Sequence, residues 1–565
     1  MKNYLLPFAA AFMASSVCAA DVADTIYHGG DIITVNDAAP AAEALAVKDG
    51  KILAIGTKDE VLKTKGNATK LVDLGGKTLI PGFVDAHSHF WGVGIQASSA
   101  NLLPPPDGPV SSIPQMQQVM RDFIAVSPVV KQHGVAIGFN YDDSQLAEHR
   151  SPTAAELDAI STTIPIMVIH QSGHLSVLNS AGLAKAGITA ASPDPDGGVI
   201  RRKAGGREPD GVLEENAHFI ATMKILPDFT KEQSFGQLEA AQAVYAANGI
   251  TTAQDGRTDP KALALLVEAA KAGRFKLDVV SYADLEMNRM NSLLRGPLMS
   301  LGYTDRFRIG GVKLTFDGSP QGKTAWFTKP YFKVPEGQPE TYLGYPSMKD
   351  DKALELISVA YQNHWQVLIH ANGDAAIEQL IKSVRGAAAE LPGKDRRTTL
   401  IHGQYLREDQ VASLKELEIF PALYPMHTFY WGDWHRQSVA GPERAENISP
   451  TGWMLANDMK FSIHSDAPVT FPNSMRILDS AVNRTTRSGY VIGPNHRITP
   501  LIALKAMTLW SAWQHFEEKT KGSLEAGKLA DLVILDRNPL KVDPATIKDI
   551  KVVETIKEGR TVFSQ

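Results

Sequence analysis

Eight short, apolar, β-rich runs separated by helical patterns constrain the fold of this chain more than any other feature. They are "GFVDAH" (82–87), "TTAQD" (251–255), "KLDVVSY" (276–282), "IGGVKLT" (309–315), "QVLIH" (366–370), "TTLIH" (398–402), "IFPALY" (419–424) and "KFSIHSD" (460–466). Between them, stretches such as "KALALLVEAAKAGR" and "DKALELISVAYQNH" repeat apolar residues at helical spacing. The alternation predicts parallel βα units, and eight is the number that closes a (β/α)₈ TIM barrel, here over residues 81–517. The gap between the first and second runs is too long for one helix and predicts an inserted subdomain at about residues 105–235. Its Pro-rich "LLPPPDGP" and Gly-rich "DPDGGVIRRKAGGREPDG" read as loops over a pocket.

Both ends of the chain read differently from the middle. "IYHGGDIITV" and "ALAVKDGKILAIG" alternate around an Asp-Gly turn, and "GKLADLVILDRNPL" and "IKVVETIKEGRTVFSQ" match them in style. Residues 21–80 and 518–565 are therefore expected to build one β-sandwich. The first 20 residues, with Lys2, an apolar core and small residues before Asp21, read as a secretory signal peptide cleaved after Ala20 or Ala19. The single cysteine, Cys18, leaves with it, so the mature chain has neither disulfide nor thiolate ligand, and a bacterial periplasmic or secreted location is expected. With a net charge of −5 and scattered basic residues, the chain lacks the electrostatic footprint of a nucleic-acid binder. A small-molecule substrate is the expected partner, with no membrane partner once the signal is removed; a homodimer is left open.

Four of the eight runs end in metal-capable side chains. "VDAHSH" places His87 and His89 two residues apart, so that a strand sends both to one face. "VLIHANGD" supplies His370, "LIHGQ" His402 and "IHSDAPV" Asp466. In a barrel these strand ends form one ring, and nitrogen and oxygen donors without cysteine suit Zn²⁺, with Mn²⁺, Fe²⁺ or Co²⁺ as alternatives.

The motifs "PGFVDAHSH", "SGHLSVLNSAGL", "GVLEENA", "GVKLTFDGS", "VLIHANGDAAIE", "LIHGQ", "SDAPV" and "GSLEAGKLADLVILD" cover nearly all of the mature chain. In them the chain resembles the amidohydrolase superfamily, within it the amidohydrolase-3 group of N-substituted formamide deformylase and the YtcJ-like proteins. The resemblance implies that His87 and His89 hold the more buried metal and His370 and His402 the more exposed one. It also implies that Lys313, carbamylated by CO₂, bridges the two. If Lys313 is a plain ammonium paired with Asp317 or Asp255, a single metal remains the alternative.

A metal-bound water with its pKa lowered towards about 7 would supply hydroxide, and Asp466 would carry its proton to the leaving nitrogen. His174 and His427 are candidates to stabilise the developing oxyanion, with Glu215 and His464 nearby in the same reading. Trp91, Trp326 and the "HTFYWGDWH" segment containing Trp431 predict an aromatic-lined pocket, with Glu215 as a further substrate contact. No motif places an arginine to clamp a carboxylate, although Arg201, Arg202, Arg207 and Arg484 lie in loops. The expected activity is hydrolysis of an amide-like C–N bond, linear or cyclic. Ester or lactone hydrolysis at the same site is the alternative, as is a non-catalytic exported ligand-binding or regulatory relative.

Overall fold

In the computed structural model, which describes residues 22–335 and 337–565, the eight expected runs form one parallel sheet. The signal-peptide expectation lies outside the described residues. In chain order the strands are Phe83–Val84, Ile250–Thr258, Asp278–Asp284, Phe307–Thr315, Gln366–Ala371, Thr399–His402, Phe420–Leu423 and Ser462–Ile463, each paired with the next. Helices such as Pro260–Lys271, Asp350–Gln362 and Asp374–Glu390 cover the connections, giving a mixed α/β, TIM-barrel-type arrangement. The ladder is not closed among the described residues, because the first and last strands are only two residues long and do not pair. The gap is spanned just above them: the Asp466 amide donates to the His87 carbonyl and the His89 amide to the Ala467 carbonyl.

Alternation along the strands sorts side chains between two cores. Val280, Tyr282, Leu368, Ile401 and Ala422 pack together as one cluster, while Val279, Val312, Leu314 and Ile369, from the intervening positions, join the large cluster beneath the helices. Buried on both faces, the strands are near-continuous apolar runs, as a covered parallel sheet requires. Extending the inner set upwards puts Lys313, His370 and His464 on the inner side of the sheet's C-terminal end.

Between the first and second strands the chain builds a six-stranded sheet running from Ala100 to Glu215, with its own apolar clusters around Phe139, Ile169 and Leu213 and around Leu102, Tyr141 and Val168. The strands of both chain ends share another sheet, in which Leu532–Leu535 pairs with Thr78–Pro81. The strands expected to build a sandwich from both chain ends are joined in one branched sheet. The long strand Thr25–Ile33 is interrupted after His28, so its first half pairs with Lys70–Asp73 and its second with Thr78–Pro81. The Asp-Gly turn reads as expected: Asp49 (φ 48) and Gly50 (φ 76) both take the left-handed backbone that a tight hairpin needs.

A buried ionic cluster ties this end sheet to the parallel one. Asp278 Oδ2, at the start of the third strand, lies 2.7 Å from Lys521 Nζ and 2.6 Å from Lys557 Nζ. The two lysines hold the Asp278 carboxyl well below its usual range against the opposing effect of burial. A depressed carboxyl contributes stability above the unfolded carboxylate range and loses it as pH falls. Asp278→Asn, which leaves two buried ammonium groups short of a counter-charge, is expected to cost about 3–5 kcal/mol. A lowered thermal midpoint at neutral pH, with less acid sensitivity than the parent, checks this.

Candidate metal centre

His87 and His89 fall not within a strand but in the turn between Phe83–Val84 and the helix Phe90–Ala97. They nevertheless converge: His87 Nε2 is 3.4 Å and His89 Nε2 3.3 Å from Asp466 Oδ1. The other nitrogen of each ring is committed behind the site. His87 Nδ1 is 2.6 Å from Gln254 Oε1, whose amide nitrogen donates to the Ala86 carbonyl. His89 Nδ1 is 2.7 Å from the Gly256 carbonyl. Carbonyl oxygens only accept, so both Nδ1 atoms carry the proton and, in the neutral form, both Nε2 atoms present lone pairs. Gly256 makes room for this arrangement, since a Cβ there would stand 2.5 Å from His87 Cε1.

Two imidazole lone pairs and a carboxylate facing one point repel each other unless positive charge lies between them. Among the described residues, Asp466 Oδ1 is buried without a hydrogen bond, as is His402 Nδ1. The nearest ammonium, Lys313, reaches only His87 Nε2, at 3.1 Å, and burial pushes it down to about 7. It pairs with neither Asp317, which accepts the amides of Trp326, Asn372 and Gly373, nor Asp255, which accepts from the Trp91 amide and Thr258 Oγ1. A divalent cation held by His87, His89 and Asp466 fits the donor set, and the orienting bonds at Nδ1 are those that metal-ligating histidines use. Burial also holds His87, His370 and His402 well below the usual imidazole range, in the neutral form a metal requires.

A second group shares the carboxylate, with ligand atoms of His402, His464 and Asp466 within 4.8 Å of one another. The family resemblance pairs His402 with His370 instead. The two rings do lie 4.6 Å apart, but His370 Nε2 is turned to the Gly318 carbonyl at 3.2 Å and Asn372 Nδ2 at 3.0 Å. His402 is out of phase with the inner set, because Ile401 before it is the inner residue of that strand. A left-handed backbone, φ 75, re-aims it to the site, and Asp466 has φ 54. Such residues are strained and persist where the surroundings fix them.

Above these groups opens a cavity of about 270 Å³, lined by His89, Lys313, His370, His402 and Asp466 at its base. Of the other expected residues, Trp91 and His174 line it. His174 Nδ1 donates to Glu215 Oε2 at 2.6 Å, and its ring lies 4.9 Å from that of His370. Glu215 does not reach the cavity; it is buried behind His174, where it also accepts from Thr324 Oγ1. His427 and Trp431 are corrected too. They begin and fill a helix whose turns bury them, His427 Nδ1 at 3.0 Å from His435 Nε2 and Trp431 Nε1 bonded to Asp142. Trp326 packs beside the core and is absent from the lining.

The apolar wall comes from the inserted segment instead: Phe139, Ile169, Phe219, Met223 and Leu226. Neither loop expected to cover the pocket contributes to it. Arg257 and Asp255, on the second strand, also line it; Arg257 was missed, and Asp255 was expected only as a possible partner of Lys313.

The arrangement defines a metal-dependent hydrolase of the TIM-barrel type. The chain belongs to the Amidohydrolase family, whose model matches residues 70–563. It is 29% identical over 542 residues to Protein LONG AFTER FAR-RED 3 of Arabidopsis thaliana, covering 92% of this chain and 88% of the relative. It is 25% identical over 556 residues to N-substituted formamide deformylase of Arthrobacter pascens, covering 95% and 97%. An uncharacterized metal-dependent hydrolase from Pyrococcus furiosus superposes with a TM-score of 0.70 at 25% identity, over 92% of this chain and all of that one.

Gln254→Leu removes the bond that fixes the His87 tautomer without touching a donor atom. It is expected to weaken metal binding about 10–100-fold, as loss of such orienting partners does, and competition with a chelator measures this. Elemental analysis of the purified parent protein should find roughly one to two divalent transition-metal ions per chain, from the donor count.

Proposed function

We propose that the chain hydrolyses an amide-like C–N bond, linear or cyclic, on a substrate with an apolar group. The observation that carries this reading is the convergence of His87 Nε2, His89 Nε2 and Asp466 Oδ1 beneath an apolar cavity. A bound divalent cation supplies Lewis acidity and lowers the pKa of a water. Zn²⁺ is the ion proposed, since the donors are imidazole and carboxylate without thiolate.

Asp466 lies at the base of the cavity, beside the histidines, where it can take a proton from water and return it to the leaving nitrogen. His174 lines the same space with Nδ1–H held by Glu215, which fixes the ring so that Nε2, when it also carries a proton, would donate to a substrate carbonyl oxygen. The inserted segment supplies both this histidine and the apolar wall, so it keeps bulk water from the reacting groups. Lys313, pushed down to about 7, is substantially a neutral amine at neutral pH, the form that reacts with CO₂ to give a carbamate. As a carbamate it would add an oxygen donor beside His87. Export to the periplasm or exterior is proposed with this activity, on the strength of the leader-like first 20 residues.

Esters and lactones are the competing substrates for this machinery. Screening formamides, N-acyl amines, hydantoins and lactones on metal-loaded protein decides between them; turnover of lactones alone overturns the amide reading. Asp466→Asn keeps the size of the side chain but cannot take a proton at neutral pH, and is expected to lower kcat by about 10²–10⁴-fold with the fold intact. Lys313→Ala is expected to lose bound metal and to recover part of it with small carboxylic acids, read by elemental analysis with and without propionate.

A further inference from the structure

Arg257 is the residue of the cavity that the reading above leaves without a task. It stands on the second parallel strand, whose regular alternation would turn it away from the interior: Gln254 faces His87, and Ala253 lies in the outer core. The register slips between Gly256 and Thr258, and Arg257 takes a left-handed backbone with φ 60. The slip and the strain bring its side chain into the lining of the cavity. Positive φ in a long, unbranched residue is uncommon and costs conformational energy, and such strain concentrates where a side chain must be aimed.

Its guanidinium is held but not used up. Nε is 3.1 Å from Asp284 Oδ2, and the guanidinium carbon sits 3.7 Å from the centre of the Phe219 ring. Among the described residues neither Nη atom has a hydrogen-bond partner, and the side chain keeps 18% of its exposure. Buried arginines with structural roles in this chain differ. Arg308 engages Glu517 and two carbonyls through Nε and both Nη atoms. Arg484 spends all three nitrogens on the carbonyls of Ile492, Ser449 and Ile448. The four arginines that the sequence offers for a carboxylate lie elsewhere, Arg201 on Glu214 and Arg202 on backbone carbonyls, for example.

The position relative to the metal centre is fixed by the sheet. Asp284, Arg257's partner on the third strand, is in register with Lys313 on the fourth. Arg257 is thus two strands from Lys313, roughly 10 Å between backbones at the usual strand spacing. A molecule whose reacting carbonyl lies at the metal centre would bring a group a few bonds away to the two Nη atoms. A guanidinium edge with two parallel donors matches a carboxylate.

We propose that Arg257 determines specificity by receiving a carboxylate of the substrate through its two Nη atoms, so that the preferred substrates are amides that carry a carboxylate close to the scissile bond as well as an apolar group. This rests on the hydrolase reading for the position of the carbonyl, but recognition of the carboxylate is measurable without turnover.

The test uses a matched pair, N-acetylphenylalanine and N-acetylphenethylamine, which share amide and ring and differ in the carboxylate. Their dissociation constants are measured by calorimetry on metal-loaded full chain, for the parent, Arg257→Gln and Arg257→Lys, alongside kcat/KM. The parent is expected to favour the carboxylate probe by about tenfold or more, the effect of a charge-assisted hydrogen-bond pair. Arg257→Gln should bring the ratio close to one through loss on the carboxylate side, and Arg257→Lys should restore part of it. A ratio unchanged in Arg257→Gln would mean that the carboxylate binds elsewhere, the metal included. That outcome, equal weakening of both probes, or no binding of the carboxylate probe to the parent overturns the proposal. Preferential binding without hydrolysis of either probe counts against amide hydrolysis and leaves the role of Arg257 standing.

Discussion

Three acceptor sites aimed at one point govern this structure. The proton on His87 Nδ1 is held by Gln254 and that on His89 Nδ1 by the Gly256 carbonyl, so in the neutral form neither ring can turn a donor towards Asp466. The site is therefore built to be completed by a cation, and much around it serves that geometry. Gly256 clears space for the His87 ring, and Gln514 helps hold the Ala86 carbonyl to which Gln254 is anchored. The backbone bonds from Asp466 and His89 tie the two ends of the parallel sheet together directly beside the donors. Where the ladder fails to close, the site itself bridges the seam.

The inserted segment turns a metal centre on a strand rim into a pocket. Parallel strands end in short loops that cannot by themselves wall off an apolar space, and here the wall is borrowed from a separate sheet and the helix Asn216–Ile225. The same insertion carries His174 and, behind it, Glu215. Substrate choice is thus placed on a part of the chain that packs around its own apolar clusters and can vary while the metal donors stay at the ends of the parallel strands.

What could be read from the sequence follows the period of two. Apolar runs located all eight strands, and their C-terminal ends held His370, His402 and Asp466, which the structure brings to one rim. His402 was found only because it closes an apolar run; its phase is wrong, and a left-handed backbone corrects it. Arg257 was missed for the same reason, since nothing in a sequence announces positive φ at a residue other than glycine. The aromatic segment "HTFYWGDWH" misled because aromatic residues at helical spacing serve a core as readily as a pocket, and here His427 and Trp431 are buried in one. The part His370 takes beside His402 could not be read, because the orientation of a ring depends on neighbours such as Gly318 and Asn372, which sequence spacing does not specify.

The central claim is that the space between His87, His89 and Asp466 is a cation site rather than a neutral polar cluster closed by Lys313. Anomalous diffraction from crystals of the protein, collected on both sides of the zinc absorption edge, addresses it most directly. The account predicts an edge-dependent peak at about 2.0–2.1 Å from Nε2 of both His87 and His89, the usual bond length for imidazole on zinc. Anomalous signal at another first-row edge in the same place would change the ion and keep the claim. A site without any such peak, with the Lys313 ammonium donating to His87 Nε2 and to Asp466, would contradict it.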